Sequence, residues 1–420
     1  MTAEQAETSF RPLWNPPSGR RPTSMLKSLD DLDLQGRRVL CRVDFNVPLT
    51  SSGDVADDTR IEAALPTLRA CMDSGARLVV MSHLGRPGGT PDPALSLEGV
   101  GMILAEKLGR SVRLTDEPVG DGAKKVVQDL RDGQVALLEN LRFDPGEKAG
   151  AEVFARQLAS YGEVYVNDAF GAAHRGDASV AVVPRFIRER GAGRLMLAEI
   201  QALSRLLDNV PHPYVALVGG VKVADKLALL RSLVDRVDCL LIGGAMAYTF
   251  LAADGVPVGD SLVDRSLFTA ARQVLAAARS RGVPVILPED HVAGTSIGAD
   301  ADYEIVDVDG IREGWMGVDI GPQTVERFRR KLDHAGSIFW NGPLGVYEHE
   351  VFRAGTVAVA EIVAKSPAYS VIGGGDSAAA ARVAGVTEQI GHISTGGGAS
   401  LQFVQGGALS AIEALQIGSQ

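Results

Sequence analysis

The sequence contains little cysteine, and none of it is arranged for a disulfide framework or a metal site. The three cysteines, Cys41, Cys71 and Cys239, form no Cys-x-x-Cys pair and have no histidine beside them at metal-ligand spacing. Disulfide-rich secreted folds and structural zinc sites are built from such clusters. We therefore interpret the three cysteines as small buried hydrophobic residues.

Long apolar runs are also missing. The longest marked one, 239–253, is shorter than the roughly 18 residues that a membrane span needs and is interrupted by glycine. The first 24 residues contain no apolar segment of the kind found in secretory signals. They are rich in proline, serine and arginine, so we predict a disordered extension over 1–24. A cytoplasmic protein is expected.

Positive charge is in deficit, and two common nucleotide motifs are absent. The 42 Lys+Arg residues against 52 Asp+Glu residues give a net charge of −10, which argues against a general nucleic-acid binder. The chain has no Gly-Lys dipeptide and hence no Walker-A motif, and no G-x-G-x-x-G follows a predicted strand. These absences argue against the P-loop and dinucleotide-binding classes.

Short apolar runs alternate with helical patterns along all 420 residues, a length that suits two or three domains. The runs are continuous, as in strands that are covered on both faces, so the alternation predicts an α/β fold with mostly parallel sheets and helices on both faces. Predicted strands lie at 37–45, 76–83, 134–140 and 163–169 in the first half, and at 213–220, 238–244, 283–290, 337–343, 369–375 and 392–397 in the second. A helix at 194–209, near the midpoint, is interpreted as the connector between a domain at 25–193 and one at 210–404; a peripheral helix is the alternative.

Cationic and polar residues follow the predicted strands of the first half. They are Arg42, Arg60, His83, Arg86, Arg142, His174 and Arg175. Ligands of open parallel sheets bind beyond the carboxyl ends of the strands, and guanidinium groups suit phosphate and carboxylate oxygens. Asp44 and Asn46 add an acceptor and an amide suited to a substrate hydroxyl. This half is predicted to bind a small, strongly anionic metabolite. For any single arginine of the set, an ordinary surface charge is the alternative explanation.

Glycine follows the predicted strands of the second half, at 219–220, 243–244, 373–375 and 396–398. Glycine lets backbone N–H groups approach an oxyanion, and the next helix N-terminus adds partial positive charge. A single glycine pair is explained by tight packing in a turn, but glycine at the ends of four strands favours a nucleotide site. Lys222 and Lys226 follow the first loop, the carboxylate of Asp376 in the third suits Mg²⁺, and Glu348 suits ribose hydroxyls.

One half suited to a small anion and another suited to nucleotide phosphates together indicate phosphoryl transfer. This reaction depends on in-line positioning and charge neutralisation rather than on covalent help from the protein. Two anionic ligands in separate sites must meet with water excluded, and closure of two domains achieves this.

The motifs taken together resemble phosphoglycerate kinases. The matching runs, in family order, are RVDFNVP, DDTRIEAALP, SHLGRP, LLENLRF, YVNDAFGAAHR, VKVADK, IGGAMAYTFL, GWMGVDIGP, WNGPLGVYE, IGGGDS and STGGGASL. The resemblance implies two Rossmann-like domains joined by a hinge, with the tail at 405–420 packed back on the first domain. It implies transfer between 1,3-bisphosphoglycerate and ADP, giving 3-phosphoglycerate and ATP, with Mg²⁺, in a cytoplasmic monomer.

The resemblance also assigns roles to individual residues. It implies that 3-phosphoglycerate is held by Arg42, Asp44, Asn46, His83, Arg86, Arg142 and Arg175, with Arg60 as the catalytic arginine at the acyl phosphate. Lys222 resembles the lysine that follows the transferring phosphoryl group, and Lys226 resembles one that contacts nucleotide phosphates. The nucleotide site would be lined by Gly220, Gly244, Gly317, Asn341, Glu348, Gly374, Gly375 and Ser377, with Asp376 at the metal. The loop Gly396, Gly397, Gly398 would present a helix N-terminus to the moving phosphate.

Several positions depart from the family pattern. They are Val221 for alanine, Ala245 for glycine, Ser377 for threonine, Gln402 for an acid, Gly176-Asp177 for Ala-His, and Arg194 for an aromatic residue. Asp177 is expected to place a carboxylate beside a substrate arginine and to weaken its pull on an anion. A related kinase acting on another carboxylate or phosphonate, and a non-catalytic nucleotide-binding protein, are therefore alternatives. Met25 is a candidate native start, with a docking tail as the other explanation of residues 1–24.

Overall fold

The computed structural model describes residues 26–298 and 300–416, so the extension predicted over 1–24 lies outside the described residues. The chain divides into two units. Unit 1 comprises the chain up to Gln201 together with the segment from Gly406, and unit 2 comprises Ala202–Gln405. The α/β class predicted from the sequence is confirmed in both.

Unit 1 is built on one six-stranded parallel sheet. Its strands are β1 (Arg38–Arg42), β2 (Arg77–Met81), β3 (Val112–Leu114), β4 (Val135–Leu137), β5 (Val164–Asn167) and β6 (Glu189–Ala192), in the order β3-β4-β2-β1-β5-β6. Its helices are α1 (Thr59–Asp73), α2 (Glu98–Leu108), α3 (Asp121–Gln128), α4 (Pro145–Ala149), α5 (Glu152–Ala159) and, after unit 2, α14 (Ser410–Gln416). The order reverses between β1 and β5, and a crevice at the carboxyl ends of these two strands is the usual ligand position.

The helix α1 shows how the sequence packs this sheet. The apolar stripe Ile61, Leu65, Leu68 and Met72 is buried in one core with strand residues of β1 and β2. The helix ends at Asp73, and Gly75 follows with φ +75°, a conformation that glycine adopts without steric cost.

Unit 2 contains a second six-stranded parallel sheet and a small antiparallel one. The large sheet has β7 (Tyr214–Val218), β8 (Cys239–Ile242), β9 (Val285–Ile286), β13 (Ser337–Asn341), β14 (Tyr369–Gly373) and β15 (His392–Ser394), in the order β15-β14-β13-β7-β8-β9. The small sheet has β10 (Asp290–Gly294), β11 (Tyr303–Asp307) and β12 (Met316–Ile320). The helices are α7 (Leu227–Val234), α8 (Met246–Ala253), α9 (Phe268–Ser280), α10 (Pro322–Leu332), α11 (Ala354–Lys365), α12 (Gly375–Val383) and α13 (Gly398–Val404). Here the order reverses between β7 and β13.

The midpoint helix is shorter than predicted. It forms α6 (Arg194–Ser204), and the boundary between the units falls within it. The prediction of a helix to residue 209 was wrong, because the next N–H groups turn back over three residues, from Leu206 to Leu203 and from Leu207 to Ser204. Asn209 then adopts φ +53°, and two prolines follow. Such a left-handed residue and the prolines cannot continue a helix.

The C-terminal segment packs within unit 1. The backbone N–H of Ala411 donates to the Ala173 carbonyl at 3.0 Å, and Arg190 donates to the Leu415 carbonyl at 3.4 Å. No helix in the described part of the chain combines the length and apolar character that a bilayer crossing requires.

Candidate functional site

The predicted anion-binding residues of unit 1 gather at the carboxyl ends of β1, β2, β4 and β5. Arg42 ends β1 and Arg60 lies in the first turn of α1, while Arg142 follows β4 and Arg175 follows β5. We call these four residues the arginine cluster. His83 follows β2 and lies between two of them. Parallel pairing brings these residues to one edge because every strand of the sheet ends on the same side.

Arg60 is held by the loop that follows β1. Its Nη1 donates to Asp44 Oδ2 at 2.9 Å and to the Asn46 carbonyl at 3.1 Å. The Asn46 side chain in turn accepts from the Gly85 N–H at 2.9 Å. The Arg60 side chain is one-third exposed, so its guanidinium is oriented by protein contacts and still open to a ligand.

His83 lies between two arginines. Arg42 Nη2 is 3.0 Å from its Nδ1, and Arg175 Nη1 is 2.9 Å from its Nε2. Arg42 and His83 are fully buried, whereas Arg175 is half-buried. Burial, and then the positive charges of Arg42 and the other members of the arginine cluster, hold the pKa of the His83 imidazole well below its ordinary value. The ring is therefore neutral at neutral pH.

Two buried carboxylates lie behind the arginine cluster. Glu147 is 3.9 Å from Arg42 and accepts two hydrogen bonds from Ser179. Asp177 Oδ2 is 3.8 Å from Arg142 Nη2, and both residues are buried. The structure thus places the Asp177 carboxylate beside Arg142, whereas the departure at Gly176-Asp177 suggested a carboxylate beside the neighbouring Arg175. These acids offset part of the positive charge that an anionic ligand would meet.

Arg142 and Arg86 differ in their surroundings. Arg142 Nη1 donates to the Gly85 carbonyl at 2.6 Å, which ties it to the loop after β2. Arg86, the next residue of that loop, is exposed. Of the predicted residues in unit 1, the structure joins Arg42, Asp44, Asn46, Arg60, His83, Arg142 and Arg175 through direct contacts or shared partners, and it leaves Arg86 at the rim.

Unit 2 contains an open cleft of about 560 Å³ beside its own strand reversal. Seven predicted residues line it: Gly220, Lys222, Lys226, Gly244, Gly317, Glu348 and Asp376. Gly220 follows β7, and the loop after β13 lies against it, with the Gly220 N–H donating to the Pro343 carbonyl at 2.7 Å. The cleft therefore lies where parallel α/β sheets usually bind ligands.

Glycine is required where two of these loops meet. Gly244 has φ +65°, and a Cβ atom there would come within 2.5 Å of the Gly220 backbone nitrogen. The loops after β7 and β8 are thus in backbone contact at the wall of the cleft. No other residue permits this approach, so the glycines bring backbone groups to the wall of the cleft.

The two lysines of the cleft have different environments. Lys226 is half-buried, and its Nζ donates to the Asn341 side-chain oxygen. Burial lowers the pKa of Lys226 to about 8, against the opposing charges of Asp376 and Asp225. Lys222 is exposed, directly after the Gly220–Val221 turn. One ammonium group is therefore fixed in the wall, whereas the other extends from it.

The remaining predicted residues of unit 2 support the cleft from behind or lie outside its lining. The Asn341 side chain donates to the Gly373 carbonyl, and Ser377 Oγ accepts from the Gly342 N–H. Gly374 and Gly375 form the turn into α12. The loop Gly396, Gly397, Gly398 leads from β15 into α13, a helix of seven residues.

Sequence reasoning missed several residues that line the cleft. Tyr248 lies on α8, where its hydroxyl is 3.4 Å from His291 Nδ1, and Ile297, Val346 and Tyr347 also line the cleft. The sequence does contain a clue to Tyr248, because this residue lies on the helix that directly follows the glycine loop at 243–244. Ile297 had none, because it lies in the segment between β10 and β11 of the antiparallel sheet, which the strand pattern did not predict.

The cleft offers a metal separate carboxylates rather than a preformed cage of ligands. The described residues contain no group of three or more His, Cys, Asp or Glu side chains placed to hold an ion. Asp376 is exposed in the first turn of α12 and lines the cleft. Mg²⁺ that is bound with a nucleotide typically takes one or two protein carboxylates, with phosphate oxygens and water as its other ligands. Asp376 fits that requirement.

Comparison with known proteins agrees with this geometry. The model of the phosphoglycerate kinase family matches residues 29–407. The chain is 49% identical over 393 residues to a phosphoglycerate kinase of Anaeromyxobacter sp. (strain K), covering 93% of this chain and 99% of that protein. The corresponding values for that of Synechococcus elongatus are 47%, 93% and 98%. The structure of phosphoglycerate kinase from Coxiella burnetii superposes with a TM-score of 0.84 at 38% identity, covering 94% of this chain and all of that one. The chain belongs to the phosphoglycerate kinase family.

Proposed function

We propose that the chain catalyses reversible phosphoryl transfer between 1,3-bisphosphoglycerate and ADP, giving 3-phosphoglycerate and ATP. It is thus a phosphotransferase with a carboxyl group as acceptor. The observation that carries the proposal is the pairing of two sites within one family member: an arginine cluster in unit 1 and a cleft lined by glycine and lysine in unit 2. Direct transfer between two bound ligands depends on positioning and charge neutralisation, which these side chains supply, and it needs no covalent intermediate on the protein.

In unit 1 the proposal assigns 3-phosphoglycerate to the pocket that the arginine cluster and His83 form. Arg142 and Arg175 supply guanidinium donors to its anionic groups, with Arg86 at the rim. Asp44 and Asn46 serve the hydroxyl, and they also orient Arg60. Arg60 then faces the carboxyl group that accepts the phosphoryl group, where it neutralises charge that develops in the transition state.

In unit 2 the proposal assigns the nucleotide to the cleft. Gly220, Gly244 and Gly317 bring backbone close to the ligand, Glu348 serves the ribose, and Lys226 holds phosphate oxygens. Asn341 and Ser377 keep the walls in place. The glycines at 374–375 and 396–398 would present backbone N–H groups to the phosphates. Asp376 would hold Mg²⁺, which would neutralise phosphate charge, and Lys222 follows the phosphoryl group as it moves.

Transfer requires the two ligands to meet in line with water excluded. Hinge bending between the first domain, expected over 25–193, and the second, expected over 210–404, is therefore part of the proposal. So is a cytoplasmic monomer, which rests on family membership.

The direct test is Mg·ATP-dependent phosphorylation of 3-phosphoglycerate by the purified chain, coupled to glyceraldehyde-3-phosphate dehydrogenase and followed by NADH oxidation. We expect turnover of about 10 s⁻¹ or more, the ordinary range for metabolic enzymes. Omission of 3-phosphoglycerate is the control for ATP hydrolysis. Failure with 3-phosphoglycerate together with turnover of another carboxylate or phosphonate would contradict the substrate assignment. Nucleotide binding without any turnover would contradict the activity.

Asp177 should weaken the binding of 3-phosphoglycerate. Its carboxylate lies 3.8 Å from Arg142 Nη2 in a buried setting, where opposite charges interact strongly. We expect Asp177→Asn to lower KM for 3-phosphoglycerate by about threefold to tenfold, because the amide removes a charge that opposes the anion. The measurement is steady-state kinetics at saturating Mg·ATP.

Asp132→Asn is the matched control, since Asp132 is an exposed acid that pairs with Arg77 at 3.0 Å in the same unit. It should leave KM unchanged. An unchanged or higher KM in Asp177→Asn would mean that the ligand does not sense this carboxylate.

Lys226 should make nucleotide binding pH-dependent. Its folded-state pKa of about 8 lies below the ordinary lysine value, so the free chain loses this charge as pH rises through 8. Nucleotide phosphates favour the charged form, and binding above pH 8 must therefore take up a proton. We expect the Kd for ADP to rise about tenfold from pH 7 to pH 9. Isothermal titration calorimetry would measure it.

Lys226→Arg is the control, because a guanidinium keeps its proton over this range. Its Kd should stay nearly constant with pH. A wild-type Kd that is equally flat would show that the Lys226 charge takes no part in nucleotide binding.

A further inference from the structure

His83 has more hydrogen-bond donors around it than it can accept from. Arg42 Nη2 contacts Nδ1 at 3.0 Å and Arg175 Nη1 contacts Nε2 at 2.9 Å. A guanidinium group only donates, and a neutral imidazole has one N–H and one accepting nitrogen. Since the ring is neutral, only one of the two arginines is hydrogen-bonded to it, and the other contact sets one donor against another.

The surroundings of Arg42 show which contact is the hydrogen bond. Its Nε donates to Ser179 Oγ at 2.7 Å, its Nη1 donates to the Val43 carbonyl, and Glu147 lies 3.9 Å from its Nη2. No part of the side chain is exposed.

The partners of Arg42 are themselves held in place. Ser179 Oγ donates to Glu147 Oε1 at 2.6 Å, and the Ser179 carbonyl accepts from the Tyr165 hydroxyl at 2.8 Å. Arg42 is therefore held by several buried partners, whereas Arg175 is only half-buried.

The other tautomer lacks an acceptor. A proton on Nδ1 would face Arg42 Nη2, and the carboxylate next to it, Asp44 Oδ1, is 3.9 Å away, beyond hydrogen-bond distance. With Nδ1 accepting from Arg42, the proton lies on Nε2, on the side of Arg175. An oxygen that enters between Nε2 and Arg175 accepts from both.

We propose that Arg42 is a positioning residue: it fixes His83 as the Nε2–H tautomer, so that His83 and Arg175 donate together to one oxygen of the anionic ligand. Arg42 thus acts through His83 and does not itself touch the ligand. That the ligand is 3-phosphoglycerate rests on the proposed function. The tautomer does not, because it is a property of the chain without ligand.

The donor–donor contact gives the free site a preference for anions. Two donors that face each other at 2.9 Å repel, and this repulsion is relieved when a ligand oxygen accepts from both. A ligand that places a hydroxyl or a cation there gains less. Arg175, rather than Arg42, is then the arginine that shifts on binding.

The first test is nuclear magnetic resonance of the ¹⁵N-labelled wild-type chain. A long-range ¹H–¹⁵N spectrum separates protonated from unprotonated ring nitrogens, and His83→Gln identifies the His83 signals by their loss. We expect a protonated Nε2 and an unprotonated Nδ1 at neutral pH, both without ligand and with 3-phosphoglycerate. A proton on Nδ1, or on both nitrogens, would overturn the proposal. This arm needs no turnover, so its failure is separate from a failure of the proposed function.

The second test replaces the buried pair and compares it with a matched control. Arg42→Met combined with Glu147→Leu removes both charges without leaving either one unpaired, a change that folded proteins often tolerate. Glu147→Gln is the control that keeps Arg42 beside His83. We expect the double variant, unlike the control, to show both tautomers, and to raise KM for 3-phosphoglycerate about tenfold over wild type, whose net charge at the site it matches. KM for Mg·ATP should not move, whereas a general folding defect would affect both.

A double variant with the wild-type tautomer and the wild-type KM would refute the role of Arg42. If that variant does not fold, the wild-type spectrum still decides.

Discussion

Replacing Arg60 with Met should lower kcat for 3-phosphoglycerate phosphorylation by about 10³-fold, in the range measured when an arginine that neutralises transition-state charge is lost. Among the described contacts, both hydrogen bonds of this guanidinium use Nη1, to Asp44 at 2.9 Å and to the Asn46 carbonyl at 3.1 Å. Nε and Nη2 are thus left for oxygens of the acyl phosphate. Since this charge is needed most when the phosphoryl group is in transit, kcat should fall far more than KM rises.

Two further variants separate this role from a structural one. Arg60→Lys keeps the charge but loses the planar fork that contacts Asp44 and a ligand together, so it should recover only part of the lost rate. Arg69→Met changes an exposed arginine of the same helix and should leave kcat near the wild-type value. The Arg60–Asp44 pair is partly exposed and adds little to stability, so thermal midpoints should stay close. A kcat within tenfold of wild type in Arg60→Met would contradict the catalytic assignment.

The fold could be predicted where strands are buried on both faces. β1, β5, β7 and β13 lie inside the parallel sheets, and their central residues form apolar runs. The edge strands β3 and β6 were missed because they are short and interrupted by charged residues, such as Arg113 in β3 and Glu189 in β6. β11 was missed for a related reason. It lies at the edge of an antiparallel sheet, and its residues alternate between exposed and partly buried. Strands were predicted from continuous apolar runs, and an alternating strand does not contain one.

The site could be predicted as a set of residues but not as a set of contacts. Parallel topology guarantees that side chains after successive strands meet, so Arg142 and Arg175 could be assigned to one edge from their positions alone. That His83 lies between Arg42 and Arg175, 92 residues from the latter, depends on how three loops pack. Nor does a strand-end position show that Arg42 is fully buried, which separates it from the more open Arg60. Burial at a strand end is decided by the segments that cover it, here the residues around Ser179.

Replacing Lys222 with Ala should lower kcat by about 10²–10³-fold, the usual loss for one stabiliser of transition-state charge. Lys222 is exposed on a turn beside the cleft, so its ammonium group can follow a phosphoryl group that moves. Lys226 is fixed against Asn341 and can only hold phosphate oxygens that stay in place. The two lysines, four residues apart, should therefore fail in different ways. Lys222→Ala should mainly reduce kcat, and Lys226→Ala should mainly raise KM for Mg·ATP.

Comparing Lys222→Ala with Lys226→Ala separates the two roles, because both lysines line the same cleft. Both variants remove one positive charge, so a non-specific effect of charge on nucleotide attraction would change KM equally in both. Lys365→Ala, which removes an exposed lysine paired with Glu361 on α11, controls for net charge and should resemble wild type. The measurement is steady-state kinetics with each substrate varied in turn. A Lys222→Ala enzyme within threefold of wild type in kcat would refute its role in the transfer step. Equal losses in both variants would mean that the two lysines act together on the bound nucleotide rather than at separate stages of the reaction.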